Sequence, residues 1–415
     1  MEPIETQNKK VHEPFCNKRK SYKAQNTPRK GRKRKMATVP IVIVSILLMG
    51  LLVVLINSPG KLPELKDEQG NTIQGSISEK VWVEIGGIQQ GMFIRGENPE
   101  NPVILYLHGG PGTPMLQFIS YLEKIEKTEH LEKYFTVCYW DQRGAGMTFS
   151  GSTDPSTMTT EQMVEDTRKV TEYLISRFGQ NKIYLLGHSW GSYLGVKTIE
   201  MYPELYLAYI GIGQVTNLVE SERLSYDYML RHAKDINDID AIEKLEEFDP
   251  YAESFPLMQE EAHQLDYLLA RTELLNRYGI GHIHDTELLQ GMTFNGMALK
   301  TLFEFKGYTL GEKIAWFRGA DFSMIHLFPV IADDNLFESS IEFEIPFYIV
   351  QGAYDYQVSQ VLAEEYSEAL TSPKKDFFLF PHSAHSPNLE EPERFIEALR
   401  LIAAENPLED KQPTQ

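Results

Sequence analysis

The chain has 415 residues, 42% hydrophobic and 11% aromatic, which suits a globular protein with a real core and allows one large domain with an insertion, or two domains. Its formal charge of −19 is unevenly spread: residues 1–37 hold 12 Lys+Arg and 3 Asp+Glu, a surplus of +9, which leaves −28 for the remainder. Two cysteines, Cys16 and Cys138, exclude a disulfide-built scaffold, so the core must be self-sufficient.

Residues 1–37 read as a basic arm. Residues 38–57, TVPIVIVSILLMGLLVVLIN, carry no charged side chain. About 20 apolar residues at about 1.5 Å each match a hydrocarbon core of about 30 Å. The segment has no polar stripe, unlike a buried core helix, and no small-residue cleavage site follows it, unlike a signal peptide. It is expected to be a retained transmembrane anchor. RKGRKRK at 29–35 abuts one side and only Lys61 and Lys66 open the other, so the expected topology is single-pass in the cell membrane, with the arm cytoplasmic and the acidic body extracytoplasmic. Such an arm could bind nucleic acid or anionic lipid. Beside a membrane segment, topology and lipid attraction account for it, and no nucleic-acid partner is expected. Cys16 and Cys138 would then face opposite compartments and could not pair.

A linker rich in Pro, Gly and charge covers 58–76. From residue 77, EKVWVEIGG and IQQGMFIRG read as a hairpin broken at Gly-Gly. PVILYLHGGPG, YFTVCYWDQRG, KIYLLGHSWG and LAYIGIGQV are apolar runs, and TTEQMVEDTRKVTEYLISRFG has helical spacing and ends in Gly179. Apolar strands alternating with helices argue a mainly parallel sheet with both faces covered. The rhythm stops near 217 and resumes at 343 with PFYIVQGAYD, VSQVLAEEYSEAL, DFFLFPHSAH and EEPERFIEALRLIA. One α/β domain is therefore expected in two parts, 77–216 and 343–404, with a helical cap inserted at 217–342 and a tail at 405–415.

GHSWG at 187–191 is a G-x-S-x-G on a strand-to-helix junction. A sharp turn there exposes the hydroxyl of Ser189, and close neighbours leave no room for side chains at the flanking glycines. The helix starting at Trp190 favours negative charge at the site. HGGPG at 108–112 follows another strand, where a glycine-rich loop can bring a backbone N–H to the same centre and join that of Trp190 in an oxyanion hole. A serine nucleophile needs a base, and the base an orienting carboxylate. Asp355 and His385 each end a strand-like run, giving the order Ser…Asp…His. His382 is the rival base; Asp333 and Asp334 are the rival acids. His282, His284 and Asp285, or His382 with His385, could be metal ligands. Surface or cap roles suit them better, so no metal or other cofactor is expected, and no nucleotide-binding loop is apparent.

HGGPG at 108–112, DQRGAG at 141–146, GHSWGS at 187–192 and the late GAYD and SAHSP resemble the prolyl aminopeptidase (proline iminopeptidase) family of α/β-hydrolase serine peptidases. The likeness covers roughly 78–215 and 343–403. It implies an α/β-hydrolase fold with Ser189 as nucleophile, His385 as base, Asp355 as orienting acid and oxyanion donors from Gly110 and Trp190. His108, Gly109, Asp141 and Arg143 would support the loops, the last two as a buried pair. Substrates would be small peptides or, alternatively, esters; a non-catalytic interaction module is the remaining reading. Family members that remove N-terminal proline bind the substrate ammonium through cap glutamates, commonly in a Trp-Glu context. This chain has no Trp-Glu, one cap tryptophan at Trp316, and cap carboxylates such as Glu273 and Glu304 that the sequence does not place.

Overall fold

The structure, a computed structural model, describes residues 42, 44–45, 48–50, 52–67, 69–126, 129–251 and 261–408. The expected arm lies outside these residues, as do parts of the expected anchor and most of the tail. The chain divides into two compact units, 1–52 and 53–415. In the first, the described residues are helical and expose apolar side chains such as Val42, Leu48 and Met49. Among the described residues, no helix is long and apolar enough to cross a membrane.

The second unit is built on an eight-stranded mixed sheet. Strands β1 (Ile77–Ile85) and β2 (Ile88–Gly96) form the expected hairpin, turning through Gly86 and Gly87. Then come β3 (Val103–Leu107), β4 (Thr136–Trp140), β5 (Ile183–His188), β6 (Tyr206–Ile212), β7 (Phe347–Gly352) and β8 (Lys375–Phe380). Their order across the sheet is β1-β2-β4-β3-β5-β6-β7-β8. β2 meets β1 and β4 antiparallel, and every pairing from β4 to β8 is parallel. Strands β3, β4, β5 and β7 are buried at every residue, which explains their largely apolar sequences. β1, at one edge, and β8, at the other, are partly exposed.

Helices α1 (Leu116–Glu126), α2 (Thr160–Phe178) and α3 (Trp190–Met201) connect the early strands. In α2 the Thr159 hydroxyl accepts the Gln162 N–H at the start, and Gly179 closes the end in a left-handed conformation. The insertion holds α4 (Leu218–Ile236), α5 (Ile239–Leu245), α6 (Glu261–Arg277), α7 (Phe294–Glu304), α8 (Leu310–Ala332) and the short α9 (Leu336–Ser339). Thr309 and Glu312 form a capping box at the start of α8. After β7 come α10 (Gln360–Ala369), α11 (Pro387–Glu390) and α12 (Pro392–Glu405).

The segment expected as a linker is docked. Leu62 and Leu65 are buried, Pro59 bridges Thr309, and the Lys61 N–H donates to Lys306 O at 3.0 Å. Apolar residues spaced among Pro and Gly find a surface on the cap, which composition alone does not show.

Candidate active site

Loops leaving the C-terminal ends of β3, β5 and β8 meet over one cavity of about 540 Å³, lined by Gly109, Gly110, Ser189, Trp190 and His385. This is where a parallel sheet with covered faces places its sites. Ser189 links β5 to α3 with φ 55° and ψ −120°, and its N–H donates to Ile212 O at 2.9 Å. A Cβ on Gly187 would fall 2.2 Å from Gly191 O, and one on Gly191 would fall 2.1 Å from Leu107 O. The flanking glycines are thus required by close backbone approach, as the sequence suggested.

The Asp355 carboxylate lies 2.9 Å from His385 Nδ1, and both side chains are buried. A carboxylate can only accept, so His385 Nδ1 is the donor of this bond and Nε2 is the ring nitrogen left for other chemistry. Asp355 Oδ2 also accepts from Gln351 Nε2 (2.8 Å), while Oδ1 accepts the N–H groups of Gln357 (2.9 Å) and Val358 (3.0 Å). Four donors fix the orientation of the carboxylate.

The HGG loop crosses Ser189 closely: a Cβ on Gly109 would stand 3.1 Å from Ser189 Cβ. The loop is fixed by a chain that the sequence did not reveal. Trp190 Nε1 donates to Gln142 Oε1 (2.9 Å), the Gln142 N–H donates to His108 Nε2 (3.3 Å), and Gln142 Nε2 donates to His108 O (3.3 Å). His108 Nδ1, 2.9 Å from Gly109 O, then carries the proton. Burial lowers His108 to about 4, so it stays a neutral strut.

The alpha/beta hydrolase fold family matches residues 102–392. A probable aminopeptidase of Bacillus subtilis, YbaC, is 32% identical over 327 residues, 78% of this chain and 96% of that protein. The chain belongs to the α/β-hydrolase family and is prolyl-aminopeptidase-like. A proline iminopeptidase of Lactobacillus acidophilus is 32% identical over 103 residues, 25% of this chain and 32% of that one. The solved proline iminopeptidase of Mycobacterium smegmatis superposes with a TM-score of 0.53 at 16% identity, covering 79% of this chain and 99% of that one. That last likeness speaks to the fold.

One expectation about this hydrolase needs correcting. Asp141 and Arg143 do not pair with each other. Arg143 makes a two-pronged pair with Asp166 on α2, Nε to Oδ2 at 2.7 Å and Nη2 to Oδ1 at 3.1 Å, and also donates to Gly86 O. Asp141 Oδ2 instead accepts the Met147 N–H (2.7 Å) and the hydroxyl of Tyr308 from the cap (2.8 Å). Burial raises Asp141 to about 7.

The rivals stand elsewhere. His382 is exposed. Asp334 bonds Lys197 and Tyr193, and Asp333 caps α8. His284 stacks on Tyr354, and the Asp285 side chain caps the turn that follows it. Among the described residues, no group of three His, Cys, Asp or Glu is placed to hold a metal. His282 lines the cavity, stacked on Phe294, with burial holding it neutral at about 3. Glu273 pairs with Lys244 and Arg277, and Glu304 lies 3.7 Å from Lys124.

The cap gives the cavity three charged groups, Glu222, Arg271 and Asp321. Glu222 and Arg271 form a buried pair, and Arg271 Nη2 also donates to Gln357 O at 2.9 Å. The cap thereby steadies the loop whose N–H groups hold Asp355. Asp321 has no ion-pair or hydrogen-bond partner among the described residues and is exposed at the mouth.

Proposed function

We propose that this chain is an extracytoplasmic, membrane-anchored serine aminopeptidase that acts on short peptides through an acyl-enzyme. The observation that carries the reading is the Asp355–His385 bond at 2.9 Å, in one cavity with Ser189 and the HGG loop. His385 Nε2 takes the Ser189 hydroxyl proton as Oγ attacks the carbonyl carbon. The Gly110 and Trp190 N–H groups receive the oxyanion, and the imidazolium returns the proton to the leaving amine. Water then deacylates the enzyme by the same route. Asp355 orients His385 and stabilises the imidazolium as it forms.

The aminopeptidase reading rests on the cap's charge. With Glu222 and Arg271 neutralising each other, Asp321 leaves one unbalanced negative charge at the mouth, as capture of a substrate ammonium needs. A second reading, ester hydrolysis, is favoured by the apolar remainder of the lining, including Phe118, Leu218, Leu268 and Phe328. Aminoacyl anilides and acyl esters should be assayed on the wild type, Ser189→Ala and Asp321→Asn. The peptidase reading expects anilide turnover lost in Ser189→Ala and a KM for anilides raised about tenfold in Asp321→Asn, with no change for esters. Ester turnover alone would sink it.

Anchoring is supported by the uncharged 20-residue stretch at 38–57 and the basic run before it.

A further inference from the structure

The chain leaving the uncharged stretch is held against the cap from Asn57 to Leu62. Asn57 closes that stretch, and its carbonyl accepts a bond from Lys313 Nζ (2.8 Å), which also donates to Phe303 O (2.6 Å). The next residues run along the cap, with Pro59 bridged to Thr309 and Lys61 bonded to Lys306. Leu62 is buried in the same cluster as Phe305. The turn between α7 and α8 is therefore fixed at the point where the uncharged stretch ends.

That turn joins two helices with apolar outer faces. Leu299 and Phe303, one turn apart on α7, are 58% and 38% exposed; Ile314 and Phe317, at the start of α8, are 54% and 44% exposed. Lys313 stands between the helices, its ammonium 5.7 Å from the Phe303 ring. Val53, Leu55 and Ile56, just before Asn57, are also exposed. Lys61 and Lys306 are exposed here, while Glu304 and Glu312 face Lys124 and Lys80. Farther along α8, Arg318, Asp321 and Ile325 are also exposed. Exposed large apolar side chains with unpaired lysines at the rim are the pattern of a surface that lies in a membrane interface.

We propose that this α7–α8 face rests on the bilayer surface, with its apolar side chains among the headgroups and Lys61 and Lys306 at lipid phosphates. The proposal rests on the anchored reading above, because an anchor ending at Asn57 brings the tethered turn to the interface. A second protein copy is the competing occupant, and the tether favours lipid. Phe317 also lines the cavity, so the mouth of the site opens beside the membrane, where substrates with an apolar end collect.

The test uses the full chain with Cys16→Ser; Cys138 is buried and will not label. Leu299→Cys, Ile314→Cys and, as a control on α3, Met201→Cys are made singly, and each carries an environment-sensitive fluorophore. The protein is reconstituted into phosphatidylcholine–phosphatidylglycerol vesicles with and without brominated lipid. The expected result is flotation with the vesicles, at least twofold quenching by brominated lipid at 299 and 314, and none at 201. Flotation without quenching at 299 and 314 overturns the surface and leaves the anchor standing. So does shielding of those labels that is relieved by diluting the protein in the vesicles, which would assign the face to a second copy. Failure to float overturns the anchor, and the surface with it.

Discussion

Ser189 occupies a backbone conformation that costs a non-glycine residue about 1–3 kcal/mol. The strain is met by tight packing of glycines around it, and the same economy of space extends to a residue that sequence reasoning passed over. Gly213 follows β6 with φ +53°, and a Cβ there would lie 2.7 Å from His385 Cε1 and 2.8 Å from Nδ1. A methyl group would push the imidazole off Asp355. Gly213→Ala should lower kcat/KM about a hundredfold while lowering Tm by only a few degrees, for the strain of an Ala at positive φ. Unchanged kcat/KM would remove Gly213 from the site. The sequence GIGQV signals nothing of this, because the clash is with a side chain more than a hundred residues away. GHSWG was legible because its constraint is local. DQRG misled for the opposite reason: a buried guanidinium seeks a two-pronged carboxylate, and the one that Arg143 meets, Asp166, comes from another element.

At the scale of elements, the cap is bonded to the core's chemistry as well as covering it. Arg271 of α6 holds the loop that orients Asp355, and Tyr308, before α8, bonds Asp141, the residue before the Gln142 that holds His108. The Asp141 contact has a measurable sign. Burial raises its pKa from 3.8 to about 7. A carboxyl raised on folding contributes stability that is fully present below its unfolded value and is lost as pH rises through the folded one. Asparagine can accept both bonds through its one oxygen and does not ionise. Thermal melts should therefore show Asp141→Asn matching the wild type near pH 4 and exceeding it by roughly 5 °C at pH 8. Equal melting temperatures at both pH values would contradict the assignment. None of this was legible in the insertion, whose helices the sequence announced but whose facing side chains depend on how they pack. The docked segment at 58–66 was hidden in the same way, since Pro and Gly read as linker until Leu62 and Leu65 meet the surface that buries them.

For the whole molecule, the alternation of buried strands with helices and the interruption at 217–342 were sufficient to expect one sheet in two parts, because fully buried parallel strands require continuous apolar sequence. That architecture brings three loops far apart in the chain over a single cavity. On the proposed reading, Ser189 is the nucleophile of this cavity, oriented through His385 and Asp355. That role is tested most directly by treating the intact protein with a fluorophosphonate and mapping the adduct by peptide mass spectrometry. One adduct is expected, on Ser189, absent in Ser189→Ala and formed at least a hundredfold more slowly in Asp355→Asn. An unlabelled wild type, or labelling that persists in Ser189→Ala, would contradict it.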